Sequence, residues 1–143
     1  MRFMKFWWME EEKADSILDF EKELEEIRGD IEADCLMFLG VYGSIKGLPL
    51  IQAKKENVNT KIFAGMMAEN YLNLKKTGNI FSLVNIKSNL TNFRNGVLYS
   101  KRINHDIVFS AYLSKRSQVK NLEKWLKNTK SEIQRLFKRT QYS

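Results

Sequence analysis

The chain has 143 residues, 43% hydrophobic and 29% charged, enough for one domain that buries its own core. Its one cysteine, Cys35, excludes an internal disulfide and favours a reducing compartment. The net charge of +7 invites a polyanionic partner, but the charge is segregated: residues 1–34 hold twelve acids and five bases (net −7), residues 35–100 are net +6 and residues 101–143 net +8. An acidic first helix and a basic last helix can neutralise each other by packing side by side.

The start carries Arg2, Lys5 and the cluster Phe3, Met4, Phe6, Trp7 and Trp8, followed at once by Glu10, Glu11 and Glu12. It is too short and too aromatic for a secretory signal and lacks a small-residue cleavage site. No apolar run reaches the about 20 residues of a membrane span. The expectation is a cytoplasmic chain in which residues 1–15 form an extension. Phe3, Phe6, Trp7 and Trp8 are candidates for contact with a partner or for peripheral contact with a membrane interface.

A first helix is expected from Asp15 or Ser16, with Ile17, Phe20, Leu24, Ile27 and Ile31 as its apolar stripe and Gly29 as a stop. Cys35 to Tyr42 is apolar throughout, as in a central strand covered on both faces. Gly43-Ser44 and Gly47 mark a turn, and Leu48 to Ala53 reads as the next strand, with Pro49 near its start. A second helix is expected from a cap at Asn59 or Thr60 to about Lys76, with Gly78 as terminator. Its apolar residues, Ile62, Phe63, Met66, Met67, Tyr71, Leu72 and Leu74, go most of the way round, so two of its sides need cover. Small Ala64, Gly65 and Ala68 permit close approach. Three strands follow, Ile80 to Lys87, Val97 to Ile103 and Ile107 to Leu113, with turns at Asn95-Gly96 and Asn104-His105-Asp106. Ser117 can cap a last helix reaching Arg139, with an apolar seam at Val119, Leu122, Leu126, Ile133 and Leu136 and lysines on its outer side. A helix packed on its own sheet explains that seam better than a coiled coil does.

The expected order is therefore α-β-β-α-β-β-β-α. It describes an α/β (α+β) domain over residues 16–139, with a short tail at 140–143. A hairpin and a meander make one five-stranded antiparallel sheet with helices on both faces.

This order, with Gly47-Leu48-Pro49-Leu50 after a buried apolar strand, resembles the Roadblock/dynein light-chain family. Family members often have Asp before the Gly-Leu-Pro turn, where Lys46 stands here. The Ala/Gly/Met-rich second helix and the meander closed by a long helix fit as well. The resemblance implies a dimer joined through the second helix and third strand, with the first and last helices on the opposite face. It implies a docking module that binds, regulates or scaffolds a small Ras-like GTPase, with no cofactor and no catalytic centre. Phe63, Met66, Met67, Asn70, Tyr71 and Leu74, with Phe81 and Leu83 of the third strand, are the expected contacts with a second copy, a paralogous Roadblock domain or another partner.

Other chemistries have weaker support. One histidine, His105, and one cysteine, Cys35, formally allow a dyad, but one sits in an expected turn and the other opens a buried strand. No spacing suggests zinc, and Gly43-Ser44-Ile45-Lys46-Gly47 lacks the ending of a Walker loop. The basic last helix, with Arg94, Lys101, Arg102, Lys115 and Arg116, offers an alternative nucleic-acid surface. A solvated face beside the acidic first helix accounts for the same charges and is preferred.

Overall fold

The computed structural model of the chain describes residues 11–137. The order is α1 (Glu11–Asp30), β1 (Ala33–Gly40), β2 (Pro49–Lys54), α2 (Thr60–Ile80), β3 (Ser88–Phe93), β4 (Gly96–Arg102), β5 (Ile107–Leu113), α3 (Val119–Asn128) and α4 (Lys130–Phe137). All five strands form one antiparallel sheet in the order β2-β1-β5-β4-β3.

The two central strands explain their composition. β1 and β5 each have neighbours on both sides and are buried along almost their whole length, so both faces are apolar. One face, with Leu36 and Phe38 of β1 and Phe109, Ala111 and Leu113 of β5, packs against Phe20 and Leu24 of α1 and Leu122, Leu126, Ile133 and Leu136 of α3 and α4. The other face, with Cys35, Met37 and Leu39 of β1 and Val108 of β5, packs against α2. Helices therefore cover both faces, with α2 alone on one.

The β1–β2 turn depends on its glycines. A Cβ on Gly40 would overlap the carbonyl oxygen of Ile45, and Gly47 sits at φ +76°. Gly40 N–H donates to the Leu48 carbonyl (2.9 Å) and Gly47 N–H to the Gly40 carbonyl (2.7 Å), which closes the turn. Pro49 opens β2 on the edge of the sheet, where the pairing register shifts between Phe38 and Leu39.

Four elements differ from expectation. α2 runs past Lys76 to Ile80, so Gly78 lies within its last turn and is not its terminator. The first helix already includes Glu11, so Ser16 lies inside it and is not its cap, and the left-handed residue beyond it is Glu32 (φ 55°), not Gly29. The last helix is broken at Thr129 into α3 and α4. The Thr129 hydroxyl and N–H both donate to the Trp125 carbonyl (2.7 and 2.9 Å), which ends α3. Residues 81–87 are not a strand; the third strand is Ser88–Phe93, at the sheet edge.

Candidate functional site

α2 begins at a cap, Asn59, whose side-chain oxygen accepts from the Ile62 N–H (3.1 Å). From there its residues divide by face. Ala64, Met67, Ala68 and Tyr71 are buried against the sheet, while Ile62, Met66 and Asn70, each four residues apart, are exposed in a row on the outside. Met66 is 68% exposed and its neighbour Met67 3%. Phe63 and Leu74 lie half-buried along the flank. A Cβ on Gly65 would meet nothing within 4 Å, so the backbone itself is accessible from that side.

The apolar band continues through the end of the helix. Ile80, the last residue of α2, and Phe81, Leu83 and Val84 beyond it are all exposed, Val84 at 82%. The loop that follows is fixed to the end of α2. The N–H groups of Phe81 and Leu83 donate to the Gly78 carbonyl (3.1 and 2.8 Å), and that of Ser82 to the Asn79 carbonyl (3.1 Å). Ser82 (φ 59°) and Asn85 (φ 57°) take left-handed conformations that turn the chain back toward β3. A run of large apolar side chains exposed on a loop makes this a candidate interaction surface.

β3 follows directly. It is paired only with β4, and its residues, Ser88-Asn89-Leu90-Thr91-Asn92-Phe93, are exposed or half-buried. It has no proline, lysine or internal bulge to block its free edge, so it can accept another strand.

These positions sort the expected contact residues. Met66, Asn70, Phe81 and Leu83 are on the surface, Phe63 and Leu74 are partly available, and Met67 and Tyr71 belong to the core under α2. The expectation that Phe81 to Ile86 pairs as a strand is corrected: Phe81 and Leu83 are loop residues, and the strand edge available for pairing is Ser88–Phe93. Phe3, Phe6, Trp7 and Trp8 lie outside the described residues.

No protein-family model matches the sequence, and no curated protein matches it. Solved structures match in shape. MglB of Myxococcus xanthus superposes with a TM-score of 0.72 at 13% identity, covering 84% of this chain and 95% of its own. The gliding protein MglB of Thermus thermophilus gives 0.67 at 12% identity, with 90% and 93% covered. A Roadblock/LC7 domain from Streptomyces avermitilis gives 0.53 at 10% identity, with 62% and 74% covered. The fold is that of a Roadblock/LC7 domain.

Within this Roadblock fold the Cys–His pairing does not form. Cys35 pairs with Tyr112 near one end of β1, whereas His105 stands beyond the opposite end, where Gly40 pairs with Ile107. Burial pushes the Cys35 thiol up to about 12, so the nucleophilic thiolate is suppressed. Among the described residues no group of three His, Cys, Asp or Glu could hold a metal ion. No described helix is long and apolar enough to cross a membrane.

Two recesses lie in the Roadblock fold; the first was not expected as a site, and the second gathers part of the expected basic surface. A cleft of about 510 Å³ lies between the second half of α2, the 81–87 loop and the β4–β5 turn, with Lys75, Arg102 and His105 in its wall and no Asp or Glu. A groove of about 390 Å³ on the other side of Arg102 is lined by Lys101, Lys127 and Lys130, with one acid, Glu123, which accepts from the Tyr99 hydroxyl (3.2 Å). These cations are far apart in sequence and come together only when β4 folds between the helices.

Proposed function

We propose that this chain is a non-catalytic docking module of the Roadblock type, spanning residues 16–139. It self-associates or pairs with a paralogous Roadblock domain, and it binds and regulates or scaffolds a small Ras-like GTPase in the cytoplasm. The observation that carries the reading is the exposed apolar band on a Roadblock fold: Ile62 and Met66 on the outer side of α2, then Phe81, Leu83 and Val84 on an ordered loop, next to the open β3 edge. The inner side of α2 already has its partner in the sheet, so the outer row is surplus to the fold. Symmetric contact between two copies would cover the apolar row and give β3 a strand to pair with. The GTPase part of the reading rests on the family resemblance and the shared fold.

The test is binding of the purified protein to the small GTPases of its own source, each loaded with GDP or a GTP analogue, with light scattering for stoichiometry. Nucleotide-dependent binding by a dimer is expected. Failure to bind any of them in either state overturns the GTPase assignment. Nucleic-acid binding is kept as a second reading because the groove lined by Lys101, Arg102, Lys127 and Lys130 collects cations from three elements, β4, α3 and α4. In the docking-module reading, Phe3, Phe6, Trp7 and Trp8 are proposed for contact with a partner or for peripheral contact with a membrane.

A further inference from the structure

The cleft behind the 81–87 loop has features that docking through α2 does not use. Lys75 and His105 are held around Tyr42: the Lys75 ammonium lies 5.7 Å from the Tyr42 ring centre, and the His105 and Tyr42 rings are 4.5 Å apart. Arg102 is half-buried at the end of β4, in the same wall as Tyr71, and its backbone N–H donates to the Lys87 carbonyl (3.0 Å). The turn presenting His105 is fixed by Asn104, whose side-chain oxygen accepts from the N–H groups of Asp106 (2.8 Å) and Ile107 (2.9 Å).

Three basic side chains from three elements thus line one recess, on a rigid base. Among the described residues none of the three has a carboxylate in an ion pair, and no acid lines the recess. The Lys75 and Arg102 cations therefore face a wall without any opposing carboxylate, and an anion in the cleft meets attraction only. Asn79, Asn85 and Ser88 add neutral polar groups to the wall, and Leu74 and Leu83 give it an apolar side. A volume of about 510 Å³ suits a small molecule, not a protein segment.

We propose that this cleft binds the phosphate group of a small phosphorylated ligand, with Arg102 and Lys75 as its charged donors and His105 as a third contact. Arginine and lysine in a partly enclosed wall are the side chains best suited to a phosphate oxyanion. Leu83 and Val84 of its wall also belong to the exposed apolar band, so the two readings share the 81–87 loop. The phosphate contacts themselves, Lys75, Arg102 and His105, are not among the expected interface residues, and the titration reads phosphate binding without any GTPase, so the two readings fail distinguishably.

The experiment is calorimetric titration of the full chain with pyrophosphate, a nucleoside diphosphate and the matching nucleoside. Saturable binding of pyrophosphate is expected, with none of the nucleoside. Tighter binding of the diphosphate supports a nucleotide lying against Leu74 and Leu83; equal binding supports a free phosphate compound. Lys75→Met and His105→Gln, both away from the core, should each weaken binding about tenfold while the circular dichroism spectrum is unchanged. Lys130→Met, in the other groove, should have no effect. Absence of saturable binding at millimolar concentration, or affinity unmoved by Lys75→Met and His105→Gln, overturns the proposal.

Discussion

Met66 and Met67 are neighbours in sequence and face opposite ways from α2, so the same substitution asks two different questions. Met67→Asp places a charge against Met37 and Leu39 with no partner, and should cost about 3 kcal/mol or more, seen as a lowered urea midpoint or loss of the folded state. Met66→Asp puts the charge in water, so unfolding should shift by no more than about 0.5 kcal/mol. It should instead reduce self-association in light scattering. An intact dimer after Met66→Asp would remove the outer side of α2 from the interface. The buried ionisable groups make a second residue-level prediction. Burial raises the pKa of Cys35 to about 12 and also raises those of Tyr71 and Tyr99, the last helped by the neighbouring Glu123. In the unfolded chain these groups ionise at their ordinary, lower values. Their contribution is therefore complete below about pH 8.5 and is lost as pH rises toward 12, because the unfolded state releases protons that the folded state retains. Denaturant unfolding measured from pH 7 to 11 should show stability falling above pH 9. Cys35 should react with a thiol reagent at pH 8 only after denaturation.

At the scale of elements, Gly40 is the position where the hairpin tolerates least. A Cβ there collides with backbone, the Ile45 carbonyl, which cannot swing aside as a long side chain could. Gly40→Ala should cost about 1–3 kcal/mol or more, and thermal unfolding would measure it. Gly29→Ala, where an added Cβ meets nothing, is the matched control. The two glycines differ in a way that composition does not show. The same limit explains which elements could be read in advance. β1, β4 and β5 were legible because their apolar runs are buried in this chain's own core. The 80–87 segment read as a strand because Ile80, Phe81, Leu83, Val84 and Ile86 carry the apolar content of one. Yet Ile80 ends α2, Ile86 is half-buried, and Phe81, Leu83 and Val84 are exposed on the loop between them; periodicity does not distinguish a side chain buried in the core from one left in water. The real β3 gave no strand signal because an edge strand with exposed faces can be Ser-Asn-Leu-Thr-Asn-Phe and take its register from β4. The break at Thr129 was hidden because the apolar spacing runs on through Leu126, Ile133 and Leu136 on both sides of it. Of the expected contact residues on α2, Met66 and Asn70 face outward, whereas Met67 and Tyr71 face inward to the core. The Lys75–Arg102–His105 cleft had no sequence signal, since only the sheet register brings those residues together.

For the molecule as a whole, charge and hydrophobicity occupy different sides, and salt can tell them apart. α1 and the α3–α4 pair share one face of the sheet, so the acidic and basic ends of the chain are neighbours, as the charge segregation suggests. The contact is not simply attractive: Glu132 of α4 has its carboxyl pushed up, first by burial and then by the nearby carboxylate of Glu23 in α1. The basic groove stands apart from this contact. If it bound nucleic acid through its four cations, Lys101, Arg102, Lys127 and Lys130, the logarithm of affinity should fall with that of salt at a slope of about −3.6. A rise from about 50 to about 200 mM salt would then weaken binding roughly a hundredfold. Self-association through Ile62, Met66, Phe81 and Leu83 has the opposite dependence, because burial of apolar surface is not screened and is strengthened by sulfate. A dimer whose dissociation constant stays flat in sodium chloride and falls in ammonium sulfate would assign the interface to the α2 side. A dimer that dissociates in moderate salt would assign it to the charged face, and the outer row of α2 would then need a different partner.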